Sequence, residues 1–209
     1  MNKVVYRSLI EEDYEPIKKL IGEAFGFNEF VKDKKCLDMI LSNYLKECIT
    51  SSSFSKVAQK DGKVIGVILG NEKKDENRLV YSNGTLDFSS NDSDSIMANE
   101  ENVEFLKDFS NVIDAYNEII SGKEDNFQGC IQLFIVSKES RGLGVGRSLV
   151  NYLFDYMKSM NVKSLYLYTD NRCNYGFYDS QNFKRLNEKE IYLDSNKVNL
   201  NVFLYGYDF

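Results

Sequence analysis

The sequence predicts an α/β protein in which helices flank a central β-sheet. Three observations carry this reading. Ile131, Leu133, Phe134, Ile135 and Val136 form a near-continuous apolar run of strand length, as a buried strand requires. A polar break at 137–140 and a glycine-rich stretch follow. Val145, Leu149, Leu153, Tyr156, Met157 and Met160 then recur at helical spacing. Upstream, residues 54–59 and 63–69 read as two strands joined by Asp61-Gly62, a strong hairpin signal.

The remaining elements follow in order. Residues 3–8 read as a first strand with Val4 and Tyr6 on one face. Glu11, Glu12 and Asp13 open a helix, where acidic residues complement the dipole. Ile17, Leu20, Ile21 and Ala24 form its apolar stripe, Pro16 sits in its first turn and Gly26 stops it. Residues 33–49 read as a second helix, with Leu37, Ile40, Leu41, Tyr44, Leu45 and Cys48 inward. Residues 78–81 and 85–88 read as short strands about Asn83-Gly84, and 89–95 as a polar, acidic loop. Asn99 caps a helix that turns Val103, Leu106, Ile113, Tyr116 and Ile120 inward and ends at Gly122. Residues 163–169 form a further strand and 171–181 a short helix. Residues 183–186, 191–193 and 198–207 are the closing strands.

Composition bounds the function. The 209 residues suffice for one well-buried core, with 43% hydrophobic and 28% charged residues. A net charge of −6 argues against a surface that coats nucleic acid. No apolar run has membrane-spanning length, and the first residues lack the apolar core of a signal peptide. Cys36, Cys48, Cys130 and Cys173 are widely spaced and read as reduced thiols of a cytoplasmic protein. The chain contains no histidine. That excludes histidine-based triads and most catalytic zinc sites. A general base must then be a carboxylate, a tyrosine, a terminus or a water relay.

The glycine stretch is Arg141, Gly142, Leu143, Gly144, Val145, Gly146 and Arg147. A glycine loop entering a helix leaves backbone N–H groups unpaired in one direction, and the helix dipole adds positive potential there. The place suits a phosphate, although a strand-to-helix turn also uses glycine for steric reasons alone. A P-loop would need Gly at Arg141 and Lys at Arg147. A dinucleotide fingerprint needs Gly-x-Gly-x-x-Gly, whereas the glycines fall at 142, 144 and 146, late in the chain. What fits is Arg-x-x-Gly-x-Gly, as Arg141, Gly144 and Gly146.

A second motif begins thirty residues on, with Asn171, Phe177-Tyr178 and Asn182-Phe183. In this order and spacing the two motifs resemble those of the GNAT superfamily, the acetyl-CoA-dependent N-acetyltransferases. The resemblance implies a mixed, mostly antiparallel central sheet, splayed at the cofactor strand and flanked by helices. It implies one domain over 1–209, with an insertion or elaboration at about 71–127. Three departures stand out. Asn182 replaces a usual Gly, Lys138 replaces a frequent Pro, and the insertion leaves the acceptor substrate open. Asn tolerates the left-handed backbone better than other non-glycine residues, so the first change is mild.

The resemblance also implies a mechanism. Phe134, Ile135 and Val136 would pair with the pantetheine arm of acetyl-CoA, and the Val136 N–H would stabilise the tetrahedral oxyanion. Residues Arg141, Gly142, Leu143, Gly144, Val145, Gly146 and Arg147 would hold the pyrophosphate, mainly through backbone N–H groups. The two arginines either add charge or are solvated. Asn171 and Asn174 are candidates for the pantetheine amides, with a helix N-cap as the other role of Asn171. Tyr178 would protonate the departing thiolate, whose thiol has an ordinary pKa near ~8.5, or else pack against the cofactor. Glu23, Glu29, Asp87 and Glu104 are acidic residues near the expected cleft walls, with no base assigned among them. The acidic stretch at 87–94, continuing through Glu100, Glu101 and Glu104, either attracts a cationic amine or is a solvated face.

The expected function is acetyl transfer from acetyl-CoA to a primary amine of a small molecule or protein, without a metal. No nucleic-acid or membrane partner is expected, and a homodimer through the aromatic C-terminal strand is possible. A non-catalytic acyl-CoA-binding regulatory module is the alternative. A nucleotide-binding protein is a weaker one, since a Walker-type lysine is lacking.

Overall fold

The computed structural model describes residues 3–82 and 99–209. Among them β1 (Val5–Arg7), β2 (Phe54–Lys60), β3 (Lys63–Glu72), β4 (Gly129–Val136), β5 (Ser164–Asp170), β6 (Lys184–Leu193) and β7 (Val198–Asp208) form one sheet. Its strand order is β1-β2-β3-β4-β5-β7-β6. Only β4 and β5 pair in parallel; the other five pairings are antiparallel. The helices are α1 (Tyr14–Ala24), α2 (Phe27–Phe30), α3 (Lys34–Thr50), α4 (Glu100–Ile120), α5 (Val145–Ser159) and α6 (Gly176–Ser180).

Two local rules read from the sequence, the Asp61-Gly62 turn and the Asn99 cap, act where expected, and the structure adds others. Asp61 and Gly62 both take positive φ, as a tight hairpin turn needs. The Asp33 carboxylate accepts from the N–H groups of Lys35 and Cys36 and caps α3. Asn99 caps α4 in the same way. Arg7 forks onto the buried Asp13 carboxylate at 2.6 and 2.7 Å, tying β1 to the entry of α1.

Two layers enclose the sheet. α1, α3 and Phe105 of α4 pack on the face that carries Val57, Val67, Leu69, Leu133 and Ile135. The rest of α4 continues over Leu200, Val202 and Leu204 of β7. α5 covers the opposite face, with Leu149, Leu153 and Met157 fully buried against Ile68, Ile131 and Leu165. Burial on both faces explains the near-continuous apolar run of β4.

Several expectations are corrected. Residues 78–81 form no strand; the Leu79 N–H instead bonds the Ser52 carbonyl at 2.8 Å. Val103 and Ile113 of α4 are exposed rather than buried, Ile113 at the lining of an open cleft, while Phe105, Asp108, Ala115 and Ile119 are buried. Met160 caps α5 from its exposed end. The helix expected at 171–181 is confined to α6, because Asn171 and Asp170 direct the preceding residues into turns. The two short strands expected at 183–186 and 191–193 are one strand, β6, with a register shift between Arg185 and Asn187. The strand expected at 85–88, the turn at 83–84 and the acidic stretch at 87–94 lie outside the described residues. Among the described residues no helix is long and apolar enough to cross a membrane.

Asn182 has φ 63°, the left-handed conformation its position demands. An Asn182→Gly variant should exceed Asn182→Ala in stability by about 1 kcal/mol in urea unfolding, since only the Cβ is strained there. All four cysteines are free. Burial pushes the thiols of Cys48 and Cys173 up to about 12 and that of Cys130 up to about 11. The folded chain therefore keeps protons that the unfolded chain releases above roughly pH 8.5. Stability should be fully present below that pH and fall as pH rises towards the native values. Urea midpoints measured from pH 8 to pH 11 will check this.

Candidate functional site

The site begins with a fault in the sheet. β4 and β5 pair only at Gly129↔Leu165 and Cys130↔Tyr166. β4 runs on beside β3 to Val136, and β5 runs on beside β7 to Asp170. The two strands thus part over their carboxyl-terminal halves. A bulge accompanies the parting: Leu69 faces Leu133 but Gly70 faces Ile131, so Gln132 is the extra residue. A bulge bends its strand and increases its twist, here turning β4 away from β5. It also reverses the side-chain alternation. Ile131 and Phe134 belong to the α5 side, Leu133 and Ile135 to the α1–α3 side.

The parting leaves a backbone edge without a strand partner. The Ser137 N–H bonds the Ile65 carbonyl at 2.9 Å, on the β3 side. Alternation along an extended strand then turns the N–H groups of Val136 and Phe134 toward the gap.

At one end of the gap lies the glycine loop. Residues Lys138–Ser140 form a 3-10 turn, braced by Ser137 Oγ on Ser140 Oγ at 2.9 Å. Gly142 and Gly144 take φ of 80° and 76°, conformations in which a side chain is strained. Gly144 opens α5, and no side chain caps the free N–H groups there. The first turn of α5 therefore presents backbone donors and dipole potential outward. A Cβ on Gly146 would stand 3.3 Å from the Phe177 ring and 3.4 Å from the Phe134 ring. The helix thus approaches the floor of the cleft closely. Lys138, Arg141 and Arg147 line this end, and neither arginine makes an ion pair among the described residues.

Tyr178 of α6 lines the middle. It is 8% exposed, with its ring 6.2 Å from Phe134 and 5.7 Å from Tyr205. Burial raises its phenol pKa, and Cys173, Asp170 and Tyr205 add to the shift. The phenol therefore keeps its proton at neutral pH.

The other end is aromatic and acidic. Phe25, Phe27, Phe30, Tyr44, Phe109 and Tyr116 line it. Asp170 closes β5 there, and its Oδ1 accepts from the N–H groups of Arg172 (2.8 Å) and Cys173 (3.2 Å). Burial raises the pKa values of Tyr44 and Tyr116 strongly, and Asp170 adds to the Tyr116 shift. The Tyr and Cys groups around Asp170 are thus neutral. The whole cleft measures about 1390 Å³.

The structure gathers most of the residues singled out from sequence. Phe134, Ile135, Val136, Arg141, Gly142, Gly144, Val145, Gly146, Arg147, Asn174 and Tyr178 all line the cleft. Leu143 and Asn171 are not among the lining residues. The Leu143 side chain is half-exposed. Asn171 neither caps a helix nor enters the cleft; it exchanges hydrogen bonds with Asn201 and pins its loop to β7. Glu23 and Glu29 reach the cleft rim, whereas Glu104 does not line it and Asp87 lies outside the described residues. Sequence reasoning missed Asp170, Glu47 and the aromatic wall. One signal pointed to Asp170: it ends a strand beside a parallel neighbour, where open sheets bind ligands. Among the described residues no group of His, Cys, Asp and Glu could hold a metal ion.

Comparison with known proteins follows the same lines. The family model for the acetyltransferase (GNAT) family matches residues 15–183. No curated protein matches the chain. Among solved structures, the fold is similar to the ribosomal-protein-S18-alanine N-acetyltransferase of Escherichia coli (TM-score 0.55, 12% identity, 99% of this chain and 94% of that one). It is similar to the ribosomal-protein-alanine N-acetyltransferase of Brucella melitensis (TM-score 0.54, 15% identity, 98% and 99%). It is likewise similar to the PaiA N-acetyltransferase of Thermoplasma acidophilum in complex with coenzyme A (TM-score 0.54, 12% identity, 99% and 99%). At these identities the neighbours speak for the fold, and the family model speaks for the lineage. A splayed parallel pair, a glycine loop opening α5 and a tyrosine between them lie inside the matched span, and the chain belongs to the acetyltransferase (GNAT) family.

Proposed function

We propose that this chain transfers an acetyl group from acetyl-CoA directly to a primary amine of a small molecule or a protein. The observation that carries the reading is the gap between β4 and β5, with the uncapped start of α5 at one end and Tyr178 beside it. The residues fit coenzyme A. The N–H groups at the head of α5, with Arg141 and Arg147, suit a pyrophosphate. The open edge of β4 offers backbone partners to an amide-bearing arm, as a neighbouring strand would. A structural neighbour with coenzyme A bound supports the same assignment.

In this reading the Val136 N–H receives the thioester carbonyl oxygen and stabilises it as it becomes an oxyanion. The amine nitrogen forms a bond to the carbonyl carbon, and the carbon–sulfur bond then breaks. Tyr178 gives its proton to the leaving sulfur, and its raised pKa keeps that proton available. The ammonium, with an ordinary pKa near ~10, loses one proton before attack and the nitrogen a second after it. Water at the cleft mouth takes both and returns one to the phenolate. Four free thiols suit a cytoplasmic setting.

The test is calorimetric titration with acetyl-CoA, followed by thiol release with amines. Micromolar binding and amine-dependent release are expected. Binding without release from any amine class would overturn the enzymatic reading in favour of a regulatory acyl-CoA module. Tyr178→Phe should lower kcat by about 100-fold while leaving acetyl-CoA affinity in place. An unchanged kcat, with chemistry rate-limiting, would remove the acid role. The wild-type kcat should show no falling limb from the phenol below about pH 10, because the pKa shift is upward.

A further inference from the structure

We infer that the amine acceptor is a monoamine carried on an aromatic or bulky apolar body, housed under α4. This rests on the acetyltransferase reading and names the substrate class of that same cleft. Three independent features lead to it.

The first is the division of charge along the cleft. Lys138, Arg141 and Arg147 line the glycine-loop end. Glu23, Glu29, Glu47 and Asp170 line the other end. The cationic end suits phosphates and the acidic end suits a cation, so the two ends divide the two substrates. Glu23, Glu29 and Glu47 are exposed at the rim and steer rather than bind. Asp170 is 8% exposed, and its Oδ1 is committed to two backbone N–H groups, leaving Oδ2 for a ligand ammonium.

The second is the wall beyond Asp170. The ring centroids of Phe27 and Phe109 are 6.0 Å apart, those of Tyr44 and Phe109 6.1 Å, and those of Phe25 and Tyr44 5.8 Å. Tyr116 stacks on Tyr168 at 4.4 Å. Phe25, Phe27, Tyr44 and Phe109 are thus in continuous ring contact, with the Tyr116–Tyr168 stack as a second aromatic group, and such a lining favours a flat apolar body over a polar one. A side hollow between Phe30, Phe105, Val112 and Leu193 shares Phe25, Phe27, Phe30, Phe109 and Val112 with the cleft lining. Among the described residues Arg172 is the one cation on the lining of this end; its guanidinium lies 6.0 Å over Phe30, with Nε 3.9 Å from Asp170 Oδ1. Its charge offsets part of that of Asp170, which leaves room for at most one ammonium at Oδ2 and disfavours a polyamine.

The third is the roof. Leu106, Phe109, Val112, Ile113 and Tyr116 of α4 line the cleft from above. α4 is fastened down at its middle and at its C-terminal end. The buried Asp108 carboxylate accepts from the N–H groups of Asp194 (2.9 Å) and Ser195 (2.8 Å) in the β6–β7 turn. The Asn187 amide donates to the Ile119 carbonyl at 2.8 Å, and Lys189 pairs with Glu118. A fixed apolar roof selects a body that fits beneath it and excludes a long solvated chain.

The experiment compares kcat/KM for 2-phenylethylamine, tryptamine, n-propylamine, spermidine and a lysine-bearing peptide at saturating acetyl-CoA. The aromatic amines should exceed each of the others by about tenfold or more, the gain expected from burying roughly 60 Å² of ring surface. Phe30→Ala should raise KM for 2-phenylethylamine by about tenfold, with acetyl-CoA affinity unmoved by calorimetry. Phe30 is half-buried, so the variant should fold; Phe30→Leu serves as the milder companion, with a smaller rise. Preference for spermidine or the peptide, with acetyl-CoA bound, would overturn the inference and leave the acetyltransferase reading standing. Failure to bind acetyl-CoA would overturn that reading itself.

Discussion

The organisation of this protein depends on two strands ceasing to pair. A parallel pair in the middle of a sheet ordinarily satisfies its N–H and C=O groups along its length. Here β4 and β5 share two residue pairs and then diverge. The backbone edge so opened lies between two layers of helices, where polar groups left without partners are costly. The bulge at Gln132 makes the divergence possible, since it bends β4 without breaking its ladder to β3. Every functional group discussed above is placed by that gap. α5 starts at the end of β4, α6 follows the end of β5, and both therefore face the opening.

The electrostatics of the cleft follow from burial more than from charge count. The chain carries a net charge of −6, yet its glycine-loop end is lined by cations. Deeper in, Tyr44, Tyr116, Tyr178, Cys48 and Cys173 are all shifted toward their neutral forms, with burial as the first cause. A wall of protonated phenols and thiols suits chemistry that ends with a proton passed to sulfur. It also keeps the cysteines inert, because the thiolate is the reactive form.

The segment between β3 and β4 has a structural role as well as a bulk. α4 contributes Phe105 to one core and Ala115, Ile119 and Ile120 to another, so it bridges the two halves of one sheet face. Its attachment through Asp108 and Asn187 gives the cleft a rigid upper wall. The aromatic cluster is continuous across α2, α3 and α4, which couples the shape of the acceptor end to the packing of that core.

Features that depend on neighbours in the chain were legible from the amino acids. The hairpin at Asp61-Gly62, the cap at Asn99, the left-handed Asn182 and the donors at the head of α5 all arise from local backbone rules. Tyr178 was legible because its motif has a fixed spacing from the glycine loop, and both lie within one βαβα run. Features that depend on residues far apart were not. The side-chain reversal at Gln132 exists only against β3, so the apolar run of β4 hid it. Asn171, open from sequence between a pantetheine contact and a helix cap, caps no helix because β7 brings Asn201 to it as a partner. The exposure of Val103 and Ile113 follows from where α4 lands on the sheet, which helical period alone leaves free in phase. Asp170 became a cleft residue only when β5 parted from β4. The aromatic wall was assembled from α2, α3 and α4; residues 27–30 had no element assigned from sequence, and Tyr44 and Tyr116 read as ordinary inward helix positions. Short-range sterics and hydrogen bonding act within a few residues and are written in order along the chain. Cleft shape is a property of packing between distant segments, and only the folded arrangement decides it.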